Sequence, residues 1–218
     1  MHHKKETEAN MEEKKKINNN GFEYVDLGLP SGTLWSTCNV GANNPSDYGL
    51  YFQWGDTQGW TADQVGEGEG QKRFLYDDYK WAIKGSFSTF SKYTTIGASL
   101  ELEDDAAHAH MGGDWHMPSP TQVQELLDNT IRKWTILDRR RGFEFASIKD
   151  ESKSIFIPEA GYAWNGLVCY AGDTGHIWTS MLNACSVNTG QYLYFDLGGT
   201  DIGNDIRSYG FSVRGVIG

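Results

Sequence analysis

The chain has 218 residues, 39% of them apolar, with eight Trp and ten Phe, which suits one domain with a sizeable core. Its formal net charge of -10 argues against nucleic-acid binding, because nothing would neutralise phosphates. Three cysteines, Cys38, Cys169 and Cys185, form neither a disulfide framework nor a CxxC pair, and no apolar run approaches the ~18 residues of a membrane helix. Free thiols are the plain reading, with a Cys169–Cys185 bridge as the alternative.

Residues 1–20, MHHKKETEANMEEKKKINNN, carry mixed charge and few apolar side chains, so a tail or frayed helix is expected. They lack the apolar stretch of a secretory signal. The domain is expected to run from Gly21 to Gly218. FEYVDLGL alternates as a strand, Pro30-Ser31-Gly32 turns it into a second strand, TLWSTCNV, and GANNPSDYGL is a loop before a short aromatic strand, YFQWGDT. Between Gln58 and Leu100 no period is sustained, which predicts a long insertion pinned by Trp60, Phe74, Tyr76, Tyr79 and Trp81. In LEDDAAHAHMGG, Asp104 or Asp105 can cap a short helix over Ala106–Met111 that ends at Gly112-Gly113. The clearest local signal is DWHMPSPTQVQELLDNT. There Ser119 is the N-cap, Pro120 the first helical residue and Gln122 the partner of a capping box, with Val123, Leu126 and Leu127 on one face. Arg139-Arg140-Arg141 sits on a turn before Gly142. The strands FEFASI, SIFIPEAGY, HIWTS, QYLYFDL and FSVRGVI follow. Two helices against many short strands predict an α+β protein with mostly antiparallel strands and long loops.

The last quarter, Gly161 to Gly218, contains no Lys and no Glu; its only charges are Asp173, Asp196, Asp201, Asp205, Arg207 and Arg214. Tyr, Asn, Asp, Ser, Thr and Gly fill the gaps, a palette of rigid amphipathic rings and small adaptable hydrogen-bonders suited to a recognition surface. In QYLYFDL, Leu193, Phe195 and Leu197 share the core face of a strand, and Tyr192, Tyr194 and Asp196 the outer one. Tyr170, Tyr192, Tyr194 and Tyr209 are expected to be exposed, Tyr162 and Trp178 to be core.

Signals for chemistry are weak. His108, His110 and His116 beside Asp104, Asp105 and Asp114 show no standard zinc spacing, so helix caps and surface histidines are expected there rather than a metal site. A calcium site built from Asp104, Asp105 and backbone carbonyls is conceivable. No GxSxG is present, and Gly112-Gly113 and Gly198-Gly199 are turn glycines rather than a phosphate cradle. Arg214, inside FSVRGV, is expected to pair internally with Asp or backbone carbonyls, whereas Arg207 is open to ligand contact or structure. No enzyme activity, metal or cofactor is expected.

Several motifs in order, DLGLPSGTLWSTCNVGA, YFQWGDT, LEDDAAHAHMGGDWHMPS, IFIPEAGY, IWTS and YGFSVRGV, resemble the Fibrobacter succinogenes major paralogous domain common in gut Bacteroidetes. The resemblance covers residues 21–218 and implies a C-type-lectin-like fold related to formylglycine-generating enzymes. The Glu-Pro-Asn, Gln-Pro-Asp and Trp-Asn-Asp motifs of sugar-binding C-type lectins are absent, and Cys169 and Cys185 do not match the cysteine pair of the formylglycine-generating enzymes.

The last quarter is similar to the variable region of target proteins of diversity-generating retroelements, which rewrite adenines in a template. Such rewriting never yields Lys, Glu, Gln, Met or Trp. That makes residues 21–160 a scaffold and residues 161–218 a variable ligand-binding region. Trp164, Trp178, Met181, Gln191, Leu193, Phe195, Gly210, Ser212, Val213 and Arg214 would be framework. The variable, ligand-binding positions implied are Cys169, Tyr170, Thr174, His176, Tyr192, Tyr194, Asp196, Asp201, Gly203, Asn204, Asp205, Ile206, Ser208 and Tyr209. The resemblance further implies a non-enzymatic receptor-recognition protein, virion-associated or displayed on a cell surface, whose partner is a protein or glycan on a target. Without an apolar heptad or added β-domain, a monomer is the simplest expectation. A fixed surface or adhesive domain of the same fold is the alternative, and a formylglycine-generating-type enzyme the remoter one.

Overall fold

The computed structural model describes residues 18–86 and 88–218. Most of the expected tail, residues 1–17, lies outside the described residues. Its end does not: Asn18–Asn19 (β1) pair antiparallel with Phe22–Val25 (β2), so sheet structure begins before Gly21. The Pro30-Ser31-Gly32 turn leads into Leu34–Asn39 (β3), with the Gly32 N–H donating to the Leu29 carbonyl at 3.0 Å. YFQWGDT forms no strand. Tyr51 and Phe52 make single bridges to Trp60 and Phe211, and both rings are fully buried.

Across residues 58–100 the described chain makes two short 3-10 turns, Ala62–Gln64 and Tyr76–Asp78, and isolated bridges. Aromatic anchoring replaces regular structure there. Phe74 and Tyr79 are buried, and Trp60, Tyr76 and Trp81 are half-buried.

Among the described residues, both α-helices start where capping chemistry places them. Ala106–Met111 (α1) follows Asp105, whose carboxylate accepts the His108 N–H at 2.9 Å, and stops at Gly112. Pro120–Asp128 (α2) follows Ser119. The Ser119 hydroxyl accepts from the Gln122 N–H at 3.2 Å, and the Gln122 amide oxygen accepts from the Ser119 N–H at 2.9 Å, closing the capping box. Val123, Leu126 and Leu127 are buried, as their spacing predicts.

Nine strands follow: Thr130–Leu137 (β4), Arg140–Ser147 (β5), Ser154–Pro158 (β6), Tyr162–Trp164 (β7), Leu167–Cys169 (β8), Thr174–Leu182 (β9), Thr189–Asp196 (β10), Gly199–Ile206 (β11) and Arg214–Ile217 (β12). They form sheets in the orders β1-β2-β3-β12, β4-β5-β6, β7-β8 and β11-β10-β9, with every strand pair antiparallel. The protein is α+β and dominated by antiparallel strands.

Four of these strands lie where patterning predicts none. β4, TIRKWTIL, is interrupted by the exposed pair Arg132-Lys133, which breaks its alternation, and is joined to β5 by a two-residue turn, Asp138-Arg139, at φ 46° and 68°. Only Arg139 of the arginine cluster is therefore in the turn; Arg140 and Arg141 open β5. β11 reads GTDIGNDI, residue types that strands disfavour, and is specified by its pairing with β10. β7 and β8 join through Asn165-Gly166, both left-handed at φ 51° and 73°, a tight-hairpin signal that AWNGLV carries in plain sight.

Two large apolar clusters flank the β11-β10-β9 sheet. Ile177, Leu193 and Phe195 on one face pack with α2, Trp35, Phe143, Phe145, Ile155 and Ile157. Trp178, Leu182 and Tyr192 on the other pack with Phe52, Trp54, α1 and Phe211. Leu197, expected on the core face, instead sits in the β10–β11 turn and is 74% exposed, because the strand ends at Asp196.

Candidate ligand-binding surface

The register of the β11-β10-β9 sheet decides where the candidate residues point. Tyr192 stands opposite Trp178 and Gly203, Tyr194 opposite His176 and Asp201, Asp196 opposite Thr174 and Gly199, and Gly190 opposite Asp205. Since alternate residues share a face, Thr174, His176, Tyr192, Tyr194, Asp196, Asp201, Gly203 and Asp205 all lie on one side of three strands. Asn204 and Ile206, exposed, alternate to the opposite side and do not join them.

Cys169, Tyr170 and Tyr209 arrive from elsewhere. Cys169 ends β8, and Tyr170 follows at φ 54°. Tyr209 lies in the loop after β11. Gly161 fixes the approach of the hairpin: its φ is 64°, and a Cβ there would meet the Cys169 carbonyl oxygen at 2.0 Å. Only glycine lets the end of the hairpin fold back this closely.

The rings then run as one ladder. Tyr162 stacks on Tyr209 at 5.9 Å and on Tyr170 at 6.0 Å, and Trp164 tilts onto Tyr209 at 5.9 Å. Tyr162 meets His176 edge-on at 5.2 Å, and His176 stacks on Tyr192 and abuts Tyr194. Such pairs favour offset or edge-to-face geometry, which holds the ladder rigid.

Depth is graded along the ladder. Tyr170 is 62% exposed and Trp164 40%, whereas Tyr192 retains 9% and His176 5%. Tyr194, Tyr209 and Tyr162 are half-buried. The expectation that Tyr192 is exposed is therefore corrected: Trp178, Phe211 and His176 cover its ring. Ser208 is buried as well, its carbonyl accepting from the Gln53 amide at 2.7 Å. Tyr162, expected in the core, and Trp164, expected as framework, belong to the surface.

The electrostatics follow from burial and nearby carboxylates. Burial holds the His176 pKa down to about 4 against a smaller opposing pull from the Gly161 backbone, so the imidazole is neutral at pH 7. Its Nδ1 has no hydrogen-bond partner among the described residues, nor has the Thr174 hydroxyl two residues before it. Burial, then the Tyr194–Asp196 hydrogen bond of 2.7 Å, raises the Tyr194 hydroxyl to about 12. Burial raises the Asp205 carboxyl, and burial first, with a smaller push from that carboxylate, raises the Tyr162, Tyr192 and Tyr209 hydroxyls.

Neither arginine of the last quarter reaches this surface. Arg207 is fully buried. Its Nε donates to the Tyr79 hydroxyl at 2.8 Å and its Nη groups to the Tyr93, Val187 and Lys92 carbonyls, while the guanidinium lies 4.1 Å over Phe90. It ties the insertion to the strands. Arg214, also fully buried, donates to the Ser36 and Phe156 carbonyls at 3.0 and 2.9 Å, the internal pairing with backbone that its position predicts.

The other candidate chemistries resolve into structure. Asp104 accepts from Lys80, Lys92 and the Tyr93 hydroxyl, and Asp105 caps α1 and accepts the Met117 N–H. Glu101, Glu103 and Asp104 converge, but the Lys92 ammonium sits among them at 2.5, 3.1 and 2.6 Å. His108, His110 and His116 each face backbone carbonyls. All three cysteines are free, so no Cys169–Cys185 bridge forms, and burial raises the Cys169 thiol, the reverse of an activated thiolate. Among the described residues no helix is long and apolar enough to cross a membrane. Comparison with family profiles, with characterised proteins and with solved structures returned no match for this chain.

Proposed function

We propose that the chain is a non-enzymatic ligand-binding protein displaying a diversified surface on a C-type-lectin-like scaffold, as the target protein of a diversity-generating retroelement. The observation that carries this reading is the register: eight of the fourteen candidate positions fall on one sheet face, and Tyr170 and Tyr209 extend it through Tyr162. Leu193 and Phe195 behind it, and Trp178, Val213 and Arg214 around it, are fully buried, a frame that can stay constant while side chains in front change. Exposed rings held by stacking supply contact area at low entropy cost, and the carboxylates supply polar selectivity. The partner is a protein or glycan on a target surface, met by a monomer carried on a virion or cell.

A second reading, a fixed adhesive domain using the same face, is favoured by one observation. His176, Tyr192 and Ser208 are buried, and a Cβ at Gly203 would meet the Tyr192 ring at 2.7 Å, so these positions support the fold as well as border the surface. Deep sequencing of the 3′ end of the gene in a growing population separates the two. Adenine-directed substitutions confined to the candidate codons, with a matching template repeat nearby, support diversification. An invariant 3′ end with no repeat leaves the fixed domain.

Binding itself has its own test. The domain is displayed and selected against intact cells. Tyr170→Ala with Tyr209→Ala is expected to abolish capture while the domain still unfolds cooperatively, at a lower melting temperature because the half-buried Tyr209 ring is lost from its stack. Capture that survives both changes places the contact elsewhere.

A further inference from the structure

The aromatic face has an unbalanced chemistry. Its fixed charges are the carboxylates of Asp196, Asp201 and Asp205, none of which forms an ion pair with another described residue. They accept from the Tyr194 hydroxyl and nearby backbone N–H groups. The only arginines in this part of the chain are buried and spent on carbonyls and ring faces. Two cations border the face without entering its chemistry: Arg141 pairs with Asp173 at 3.1 Å, and Arg73 meets the hairpin turn through its backbone carbonyl.

His176 lies in the middle of the rings, 5% exposed, with Nδ1 unpartnered. Buried polar groups are normally paired, so such an atom among stacked rings marks a place where a ligand or water completes the bonding. Carboxylates and the negative faces of tyrosine rings attract donors and positive charge, and a neutral imidazole adds no cation to oppose them.

Resting on the ligand-binding reading of this same face, we infer that the group it takes is a cation: the guanidinium or ammonium of an arginine or lysine side chain presented by a protein partner. The register places Asp201 opposite Tyr194 and Asp205 diagonal to Tyr192 on the same sheet face, so a guanidinium laid on this face reaches a carboxylate and a π face together. An acidic glycan would be repelled. A neutral glycan could stack on the rings but would leave the carboxylates unmatched.

The test uses the full chain with N-acetyl-arginine methylamide, its neutral isostere N-acetyl-citrulline methylamide, and methyl glucoside, each titrated while the aromatic NMR signals are followed. The arginine probe is expected to move the Tyr162, His176 and Tyr209 signals saturably, and the citrulline probe to bind about tenfold more weakly. Asp205→Asn should remove most of that preference with an unchanged melting temperature. If that variant is unstable, Asp201→Asn on the exposed edge serves instead. Equal response to arginine and citrulline, or an arginine response that both variants leave intact, overturns the inference. A response to methyl glucoside alone makes the face a glycan site, so the binding reading stands and the cation inference falls. Silence of these signals to all three probes refutes the cation inference, while cell capture by the displayed domain decides separately whether the binding surface survives.

Discussion

At the scale of single residues, the side chains that decide this molecule are polar groups buried among rings. His176 shows it through pH. Its ordinary pKa of 6.5 is held at about 4 in the folded protein, so the unfolded chain binds a proton that the native state refuses. Stability from this group is complete above pH 6.5 and is lost as pH falls toward 4, by about 3 kcal/mol. His176→Phe keeps a ring in the stack and removes the titration. Urea unfolding between pH 4 and 7 should show a shallower loss for the variant, since other titrating groups cancel in the difference. Parallel curves would mean that the imidazole is not desolvated as described. Arg207 makes the complementary case. Replacing it with Met leaves the Tyr93, Val187 and Lys92 carbonyls unpaired in the interior, and a loss of about 3 kcal/mol or more is expected. Arg207→Lys should not restore stability, because an ammonium cannot reproduce the planar fork. Full rescue by Lys would show that charge alone matters there. The internal role of Arg214 was legible, because it sits inside an apolar strand. That of Arg207 was not, since its partners Tyr79 and Phe90 lie more than a hundred positions away in a stretch without periodicity.

At the scale of elements, local chemistry and pairing divide the credit. The capping box at Ser119 and Gln122 and the apolar face of α2 were legible because every interaction involved lies within a few residues. β10 was legible from its alternation. β11 was invisible: Gly, Asp and Asn predict a loop, and only the full-length ladder with β10 makes it a strand. That ladder needs Gly203. A Cβ there would meet the Tyr192 ring, which is wedged against Trp178 and Phe211 and has nowhere to go. Gly203→Ala should cost about 1–3 kcal/mol by overpacking. Asn204→Ala, one position along and exposed, should stay within about 0.5 kcal/mol. Denaturant midpoints of the two variants check this, and an unaffected Gly203→Ala would show that the β11 backbone can yield.

At the scale of the whole molecule, the two ends of the described chain meet in one sheet. β12 pairs with β3, Val216 bridges to His116 after α1, and Arg214 spans from β3 to β6. A chain ending at Val213 should therefore lose cooperative thermal unfolding and its near-UV signal, although it lacks only five residues. A cooperative transition in that truncated protein would show that the closing strand is dispensable. The sequence by itself determined the α+β composition, both helix starts, most strands and the acidic, tyrosine-rich character of the last quarter. Each of those is a matter of spacing or composition within a short window. The tertiary structure alone decided which rings face outward. Tyr162 and Trp164 came forward, Tyr192, His176 and Ser208 went back, and Asn204 turned to the far side. Exposure of a strand residue depends on what packs over it, and here Phe211 covers Tyr192 and His176, Tyr162 of the β7–β8 hairpin meets His176, and Gln53 bonds Ser208, none of which a local pattern in β9, β10 or β11 can report.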